Sequence, residues 1–485
     1  MTGAWTVGLD CGSTYIKGVL VDPDGAEVTS ARRPTPWESL PHGRAEMAPG
    51  DLFRVVGDVL AELGTHGAHV AGIGVSGMAE AGVLVDGQDR VEDPVVAWFD
   101  PRGGDDLDEM PAELREQFSG RTGLPLGALA TFTKLWHRSR HEGLVLDGRQ
   151  WLNVPEAVAW SLGGDRRAEV SLAARTGLLD QDTVQVWPSA AQALGVDPTF
   201  LPPITPAGSA WGLASREVPA SMAGAVITVA GHDHLVSSTA SGVLDLDTLY
   251  DSIGTAEALV RVLDGVLDAA ARTRLATHGV NVVRHMLPGR GTLLAGTRAG
   301  LLMRRALQLV GVNDEAGRTA LDRQVMLLPE RREAPVTAWG AGNADGVLHL
   351  RADSDGLSPA LLFDATLRHG SEVLAEVLAV MDAENTPATR TVLAGGWTRM
   401  ESVRRARRAV LPNPRFSDRD EDTAYGAALV AAFAADPAAD DLVAHLAGAV
   451  ADHPGPHSLA GTAAGLASPS PTKTPSTTPT GGTPR

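Results

Sequence analysis

The chain has 485 residues, with 41 Lys and Arg against 59 Asp and Glu, and a formal net charge of −18. With 44% apolar and 21% charged residues it is neither fibrous nor wholly disordered, and the length suits about two to four domains. The acidic balance argues against nucleic acid as a partner, because polyanion binding concentrates Lys and Arg on one face.

The first strand is expected at Trp5–Leu9, ending in Asp10-Cys11-Gly12-Ser13-Thr14. Tyr15–Val21 alternates as a second strand, Asp22-Pro23-Asp24-Gly25 is a strong turn, and Ala26–Thr29 starts a third strand. Asp51–Leu63 carries apolar residues at helical spacing after a Pro49-Gly50 start. Val70–Val75, Ala81–Val85 and Val95–Trp98 read as strands, and Arg121–Val186 as mostly helical with Gly interruptions. Ala225–Ala230 is a β-branched strand stopped at Gly231-His232-Asp233-His234. A second phase starts near Leu244: strand Thr248–Ser252, turn Gly254-Thr255, returning strand Ala256–Val262. This unit echoes the first hairpin and hints at a duplicated architecture. Helix Phe363–Met381, strand Thr391–Leu393 before Gly395-Gly396, helix Ser402–Val410 and the Ala-rich helix Ala424–Ala434 follow. From about Leu466 the Ser/Thr/Pro-rich composition offers nothing to bury, so residues 466–485 are expected to be disordered.

Cys11 is the only cysteine, which excludes an intrachain disulfide and a thiolate zinc cluster. Apolar runs such as Gly426–Ala435 fall short of the roughly 18–20 residues of a membrane span, and Asp10 interrupts any signal-peptide core. The expectation is a soluble, cytoplasmic protein with no membrane partner. Of the three lysines, Lys17, Lys134 and Lys473, none sits in a GxxxxGK[ST] loop, so a bound nucleotide needs another device.

The polar turn after Asp10 presents backbone N–H groups and hydroxyls that suit phosphate oxygens, while Asp10 could hold Mg²⁺; the bland reading is a hairpin whose Asp caps its own turn. Asp233, at a strand-to-helix junction, is placed either to accept a hydroxyl proton or simply to cap the helix. His232 and His234 lack a nearby third ligand and make a weak metal pair. Gly254-Thr255 and Gly395-Gly396 end strands where backbone could approach a phosphate or an adenine. The run Arg404, Arg405, Arg407, Arg408 reads as a solvated helix face.

In order along residues 5–435, these blocks resemble the FGGY carbohydrate kinases. Asp10–Lys17 looks like that family's first phosphate motif, and Ile73–Met78 leading to Val83–Asp86 like its sugar-contact segment. Trp98-Phe99-Asp100-Pro101-Arg102 is similar to its W-x-D-x-R element, Ala230–Asp233 to the segment of the catalytic Asp, and Ile253–Ala256 to the second phosphate turn. Ala394–Gly396 looks like the adenosine turn, with Tyr425–Ala428 beyond it. The resemblance implies an α/β fold of two actin-like (ribonuclease H-like) lobes with an ATP and sugar cleft between them. Residues 1–244 would form the sugar-binding lobe, 245–435 the ATP-binding lobe and 436–465 a helical extension. It further implies phosphoryl transfer from ATP to a small sugar or polyol (pentulose, gluconate, tetritol or glycerol-like). Asp233 would be the base, and Glu80, Met78, Trp98, Asp100 and Asp233 the substrate contacts. Gly12, Ser13, Thr14, Lys17, Gly254, Thr255, Gly300, Gly395, Gly396 and Met400 would meet ATP, with Mg²⁺ at Asp10 and Asp233. A homodimer is left open. Departures are Lys134-Leu135-Trp136 in place of Lys-x-x-Trp, a faint second signature around Phe363–Leu378, Trp397 after the glycine pair, and Glu80 where xylulose-type members carry His. The alternative is a non-catalytic, nucleotide-binding regulatory protein of the same fold.

Overall fold

A computed structural model describes residues 4–329, 335–342, 346–353, 355–417, 419 and 421–452. The segment 466–485 lies outside them. Strands β1 (Trp5–Cys11), β2 (Tyr15–Val21) and β3 (Glu27–Pro34) form an antiparallel meander. On the other side of β1, β4 (Val70–Gly77) adds in parallel. Beyond it lie β6 (Val226–His232), also parallel, and the short edge strand β5 (Gly212–Leu213). The first sheet therefore has the order β5-β6-β4-β1-β2-β3.

Helix α1 (Pro49–Gly64) begins with Pro in its first turn, where no intrahelical N–H bond is lost. It buries Leu52, Val55, Val56, Val59, Leu60 and Leu63, a 3.6-period stripe, against β2 and β3. Gly18 on β2 leaves the space that Val59 and Leu63 fill. Helix α2 (Asp233–Ala240) follows β6 directly.

The second sheet repeats the first. Strands β7 (Thr248–Ile253) and β8 (Glu257–Leu263) form its hairpin, and β9 (Asn281–Arg284) and β10 (Gly291–Thr297) continue antiparallel to it. Helices α3 (Ala299–Leu309) and α4 (Pro359–Ala383) precede the parallel strand β11 (Arg390–Ala394). After α5 (Glu401–Arg408), β12 (Pro414–Phe416) completes the order β9-β10-β8-β7-β11-β12. The path β3-β2-β1-β4-β6 and the path β10-β8-β7-β11-β12 have the same order and the same strand directions. The echo between the two hairpins thus extends to five strands of each sheet, and the molecule has the two-lobed α/β architecture expected.

Helix α6 (Asp422–Ala435) follows the second sheet in sequence but packs on the first, against β1, β4 and β6. Its face of Ala424, Ala427, Ala428 and Ala431 meets Gly8, Gly72 and Gly74, and a Cβ on Gly8 would lie 1.9 Å from the Ala424 carbonyl oxygen. On its far side Gly426 admits Val236 and Ala240 of α2. Helix α7 (Leu442–Asp452) then covers α6 and α2 through Leu442, Leu446 and Ala449.

Two local expectations are corrected. Residues 121–186 contain helices Thr131–His141, Val154–Ser161 and Val170–Ala173, but also strands Gln150–Asn153 and Ala168–Glu169. Those strands pair with Gly82–Val85 and Ile204–Thr205, partners too distant for local periodicity to reveal. Nor is the arginine run on α5 a solvated face. Arg407 is buried on Glu257 and Ser371, Arg405 reaches Asp364, and Arg404 and Arg408 cover Phe416.

Because a Cβ on Gly74 would stand 2.0 Å from the Ala427 carbonyl oxygen, Gly74→Ala must push α6 off the sheet. Overpacking of this kind costs about 1–3 kcal/mol, so the urea midpoint should fall measurably. An unchanged midpoint would show that α6 has room to move.

Candidate functional site

The end of β1 carries Asp10 to the boundary between the lobes. Its carboxyl is buried, Oδ1 has no hydrogen-bond partner, and the pKa is pushed up to about 8, chiefly by burial and then by the Asp233 charge, against the pull of Lys17. The following turn is tied down from outside: Thr35 Oγ1 donates to the Gly12 carbonyl (2.7 Å), and Trp37 Nε1 to the Ser13 carbonyl (2.8 Å). Trp98 Nε1 donates to Ser13 Oγ at 2.7 Å. Trp98, expected at the substrate, thus orients the phosphate-type turn and leaves the Ser13 hydroxyl proton free to point elsewhere. Thr14 is exposed.

Lys17 on β2 forms a 2.7 Å ion pair with Glu421, immediately before α6. A cavity of ≈ 200 Å³ lies here, lined by Asp10 and Lys17 from the first lobe and by Gly395, Gly396 and Thr398 from the second. Gly395 has φ +94 and its Cα lies against Ile253, where a Cβ would be 2.4 Å from the carbonyl oxygen. Gly300 backs the same turn from behind, since a Cβ there would come within 1.9 Å of the Gly254 carbonyl oxygen. Gly254 after β7, Gly300 of α3 and Gly395 after β11 therefore converge, and the Gly254-Thr255 turn stays open, with Thr255 exposed. Gly396 has free space where a side chain would stand. Gly300 acts through packing, and Met400 is buried in the core of the second lobe.

Asp233 opens α2, half-buried, with Oδ1 accepting the His234 N–H at 2.7 Å. A bulge in β6 lies just before it, with Gly231 at φ +119. Ser76 Oγ donates to the Gly231 carbonyl (2.9 Å), and the His232 N–H donates to Ser171 Oγ (3.1 Å). Ser171 is held in turn by Glu169, whose Oε2 accepts the Ser171 hydroxyl and the N–H groups of Ser171 and Leu172. His232 is buried and its pKa is lowered to about 3 by desolvation, so it stays neutral beside Asp233.

Glu80 stands at φ +57, buried, in an ion pair with Arg175. Burial raises its pKa, while Arg175 and Lys134 oppose the rise, and the Asp233 charge reaches it too. Lys134 donates to the Ala128 and Leu129 carbonyls, and desolvation lowers its pKa to about 8. Arg175 Nη1 is buried without a partner, a donor awaiting an acceptor. Sequence reading missed Arg175. Its signal was a lone cation in the apolar stretch Leu172–Leu179, which must be buried with a counter-charge.

Both oxygens of Asp100 accept hydrogen bonds from Arg102 and from the N–H groups of Arg102 and Ala45, and its charge also reaches Lys134. Met78 is 2% exposed in the first core. Across the lobes, fully buried Arg272 clamps Asp182 (2.7 Å to each oxygen) and the Gly120 carbonyl, holding Asp182 below the usual carboxylate range.

The N-terminal domain of the FGGY family of carbohydrate kinases matches residues 5–240. An L-fuculokinase of Escherichia coli (strain K12) is 24% identical over 266 residues, 52% of this chain and 55% of the relative. The chain thus spans about half the length of the relatives it matches in sequence. In structure, xylulose kinase from Rhodospirillum rubrum superposes with a TM-score of 0.80 at 23% identity, covering 91% of this chain and 92% of the other. Plasmodium falciparum glycerol kinase with ADP gives 0.78 at 16%, with the same coverage. The two-lobed actin-like fold is therefore shared along nearly all of the chain.

The acid behind β6 yields a pH test. Burial raises the Glu169 pKa from 4.5 to about 7 against its hydrogen bonds, so the folded state holds that proton more tightly than the unfolded one. The stability this group contributes is complete below the ordinary carboxylate range and is lost as pH rises through about 7. Glu169→Gln should therefore gain on the parent between about pH 5 and about pH 8 in urea denaturation. A difference that stays flat with pH would mean that Glu169 titrates alike in both states.

Proposed function

We propose that this chain, which matches the FGGY carbohydrate kinases over residues 5–240, transfers the terminal phosphoryl group of ATP to a hydroxyl of a small sugar or polyol. One observation carries the reading: a single cavity joins Asp10 and Lys17 to the Gly395-Gly396 turn, with Asp233 close enough to raise the Asp10 pKa. A nucleotide with its base near Gly396 and its phosphates toward Asp10 and Thr255 would occupy that cavity.

The carboxylates fit a hard dication. Asp10 Oδ1 is an orphaned buried acceptor, and the proton that burial and Asp233 hold on Asp10 would give way to a metal charge. Mg²⁺ held by Asp10 and Asp233 would neutralise charge on the transferred phosphate. Lys17 offers a fixed positive charge at the cavity wall, oriented by Glu421. The Gly12–Thr14 turn supplies N–H and hydroxyl donors that Thr35, Trp37 and Trp98 hold rigid.

Asp233 takes the hydroxyl proton as the oxygen attacks, its carboxylate aimed by the His234 N–H. Glu80 and Arg175 recognise the acceptor: the carboxylate accepts from hydroxyls and the free Arg175 Nη1 donates to a sugar oxygen. Such a pair suits neighbouring hydroxyls of opposite hydrogen-bonding role, as in a polyol or an open-chain sugar. Release of ADP across a panel of pentuloses, gluconate, glycerol and tetritols tests the reading, and no turnover with any of them would favour a nucleotide-binding protein without catalysis.

Asp233→Asn should lower turnover about 10²-fold or more while ATP binding changes little. Near-normal turnover in the folded variant would remove Asp233 from the role. Glu80→Gln should raise KM for the true substrate by roughly ten- to hundredfold, the range for a hydrogen bond to a charged group, and leave KM for ATP unchanged. Equal changes in both constants would assign the Glu80–Arg175 pair to structure.

A further inference from the structure

Helix Thr131–His141 places His137 and His141 four residues apart, on one face. Asp106, from the loop after Arg102, comes up beside them. Together they form the one group among the described residues whose three His or carboxylate ligand atoms all lie within 4.8 Å of one another. His137 Nδ1 is 2.5 Å from Asp106 Oδ2, and His141 Nε2 is 3.9 Å from Asp106 Oδ1. Glu109 contacts His141 Nε2 at 3.3 Å from outside this group of three. A tetrahedral ion with bonds of about 2.0–2.1 Å needs ligands roughly 3.3 Å apart, a separation these values bracket. The other ring nitrogen of His137 lies 3.6 Å from Glu142, near it but beyond hydrogen-bond distance. Glu142 is itself anchored on Arg102 and Arg138.

We infer that His137, His141 and Asp106, with solvent completing the shell, bind one transition-metal dication of the Zn²⁺ class. Two imidazoles and one carboxylate favour such an ion over Mg²⁺, which prefers an all-oxygen shell. The ion would pin the loop after Arg102, and with it the Trp98–Arg102 segment, to the helix that bears Lys134. None of its ligands belongs to the nucleotide cavity or to the Glu80–Arg175 pair, so the inference stands apart from the kinase reading.

The test uses the full chain freed of metal by chelation and titrated with Zn²⁺ against a chromophoric indicator. The parent and Asp233→Asn should each take up one equivalent at this site, whereas His141→Ala and Asp106→Asn should bind about tenfold or more weakly. His141 is exposed at the end of its helix, so its loss leaves the core intact. Zn²⁺ should raise the melting temperature of the parent and not of His141→Ala. Co²⁺ in place of Zn²⁺ should give the visible absorption of a four-coordinate site. No uptake by the parent, equal uptake by His141→Ala, or uptake lost only in Asp233→Asn would overturn the assignment, the last by placing the ion between Asp10 and Asp233.

Discussion

The close seating of α6 on the glycines of β1 and β4 is the constraint on which the rest depends. Only Gly at positions 8 and 74 lets the Ala424 and Ala427 carbonyls approach so near, and only Ala on the helix keeps that approach uniform. The helix belongs in sequence to the second half of the chain, yet it is bolted to the first sheet. Glu421 stands just ahead of it, so the Lys17–Glu421 pair and the cavity wall near Asp10 inherit its position. A shift of α6 by a fraction of an ångström would move the second lobe's contribution to the site relative to Asp10.

Around this joint the protein buries more charge than stability alone would select. Asp10 keeps an unpartnered oxygen, Glu80 is matched by Arg175, and Glu156 and Glu169 lie wholly inside behind β6. In the second lobe Asp251 and Glu257 share Arg407, and the neighbouring carboxylate together with burial drives the Asp251 pKa upward. Replacing buried ion pairs by apolar groups is often neutral or stabilising, so their retention points to positioning. Arg407 shows what is positioned. It ties the β7–β8 hairpin, whose tip is Gly254-Thr255, to α5, which starts just after Gly395-Gly396. The two turns proposed to meet the nucleotide are thus braced against each other.

Most elements were legible from local pattern. Tyr15–Val21 was read at its observed bounds, and the Val70, Thr248 and Thr391 strands and the helices around residues 51–63, 363–381 and 424–434 were read within a few residues. Their signals, a 3.6-residue apolar stripe or a β-branched run ended by Gly, are carried by the segment itself. The strands within residues 150–169 were not legible, because what makes them strands is a partner some 35–70 residues away. The same distinction separates the site residues. Asp10, Asp233 and the glycine turns, proposed for the site, stand out locally by strand ends and glycine spacing, whereas Lys17 lies within a strand and carries no such signal.

The sequence by itself offered candidates for the chemistry and showed two similar strand–turn–strand units that hinted at a duplicated architecture, because propensity and turn geometry act over a few residues. Tertiary structure alone decided what each polar group faces. Trp98 turned to Ser13, Asp100 was consumed by Arg102 and Ala45, Met78 and Met400 went into cores, and Arg175 arrived beside Glu80 from 95 residues away. A buried charge must find its partner wherever the chain brings one, and that search runs through the whole fold and leaves little trace in local sequence.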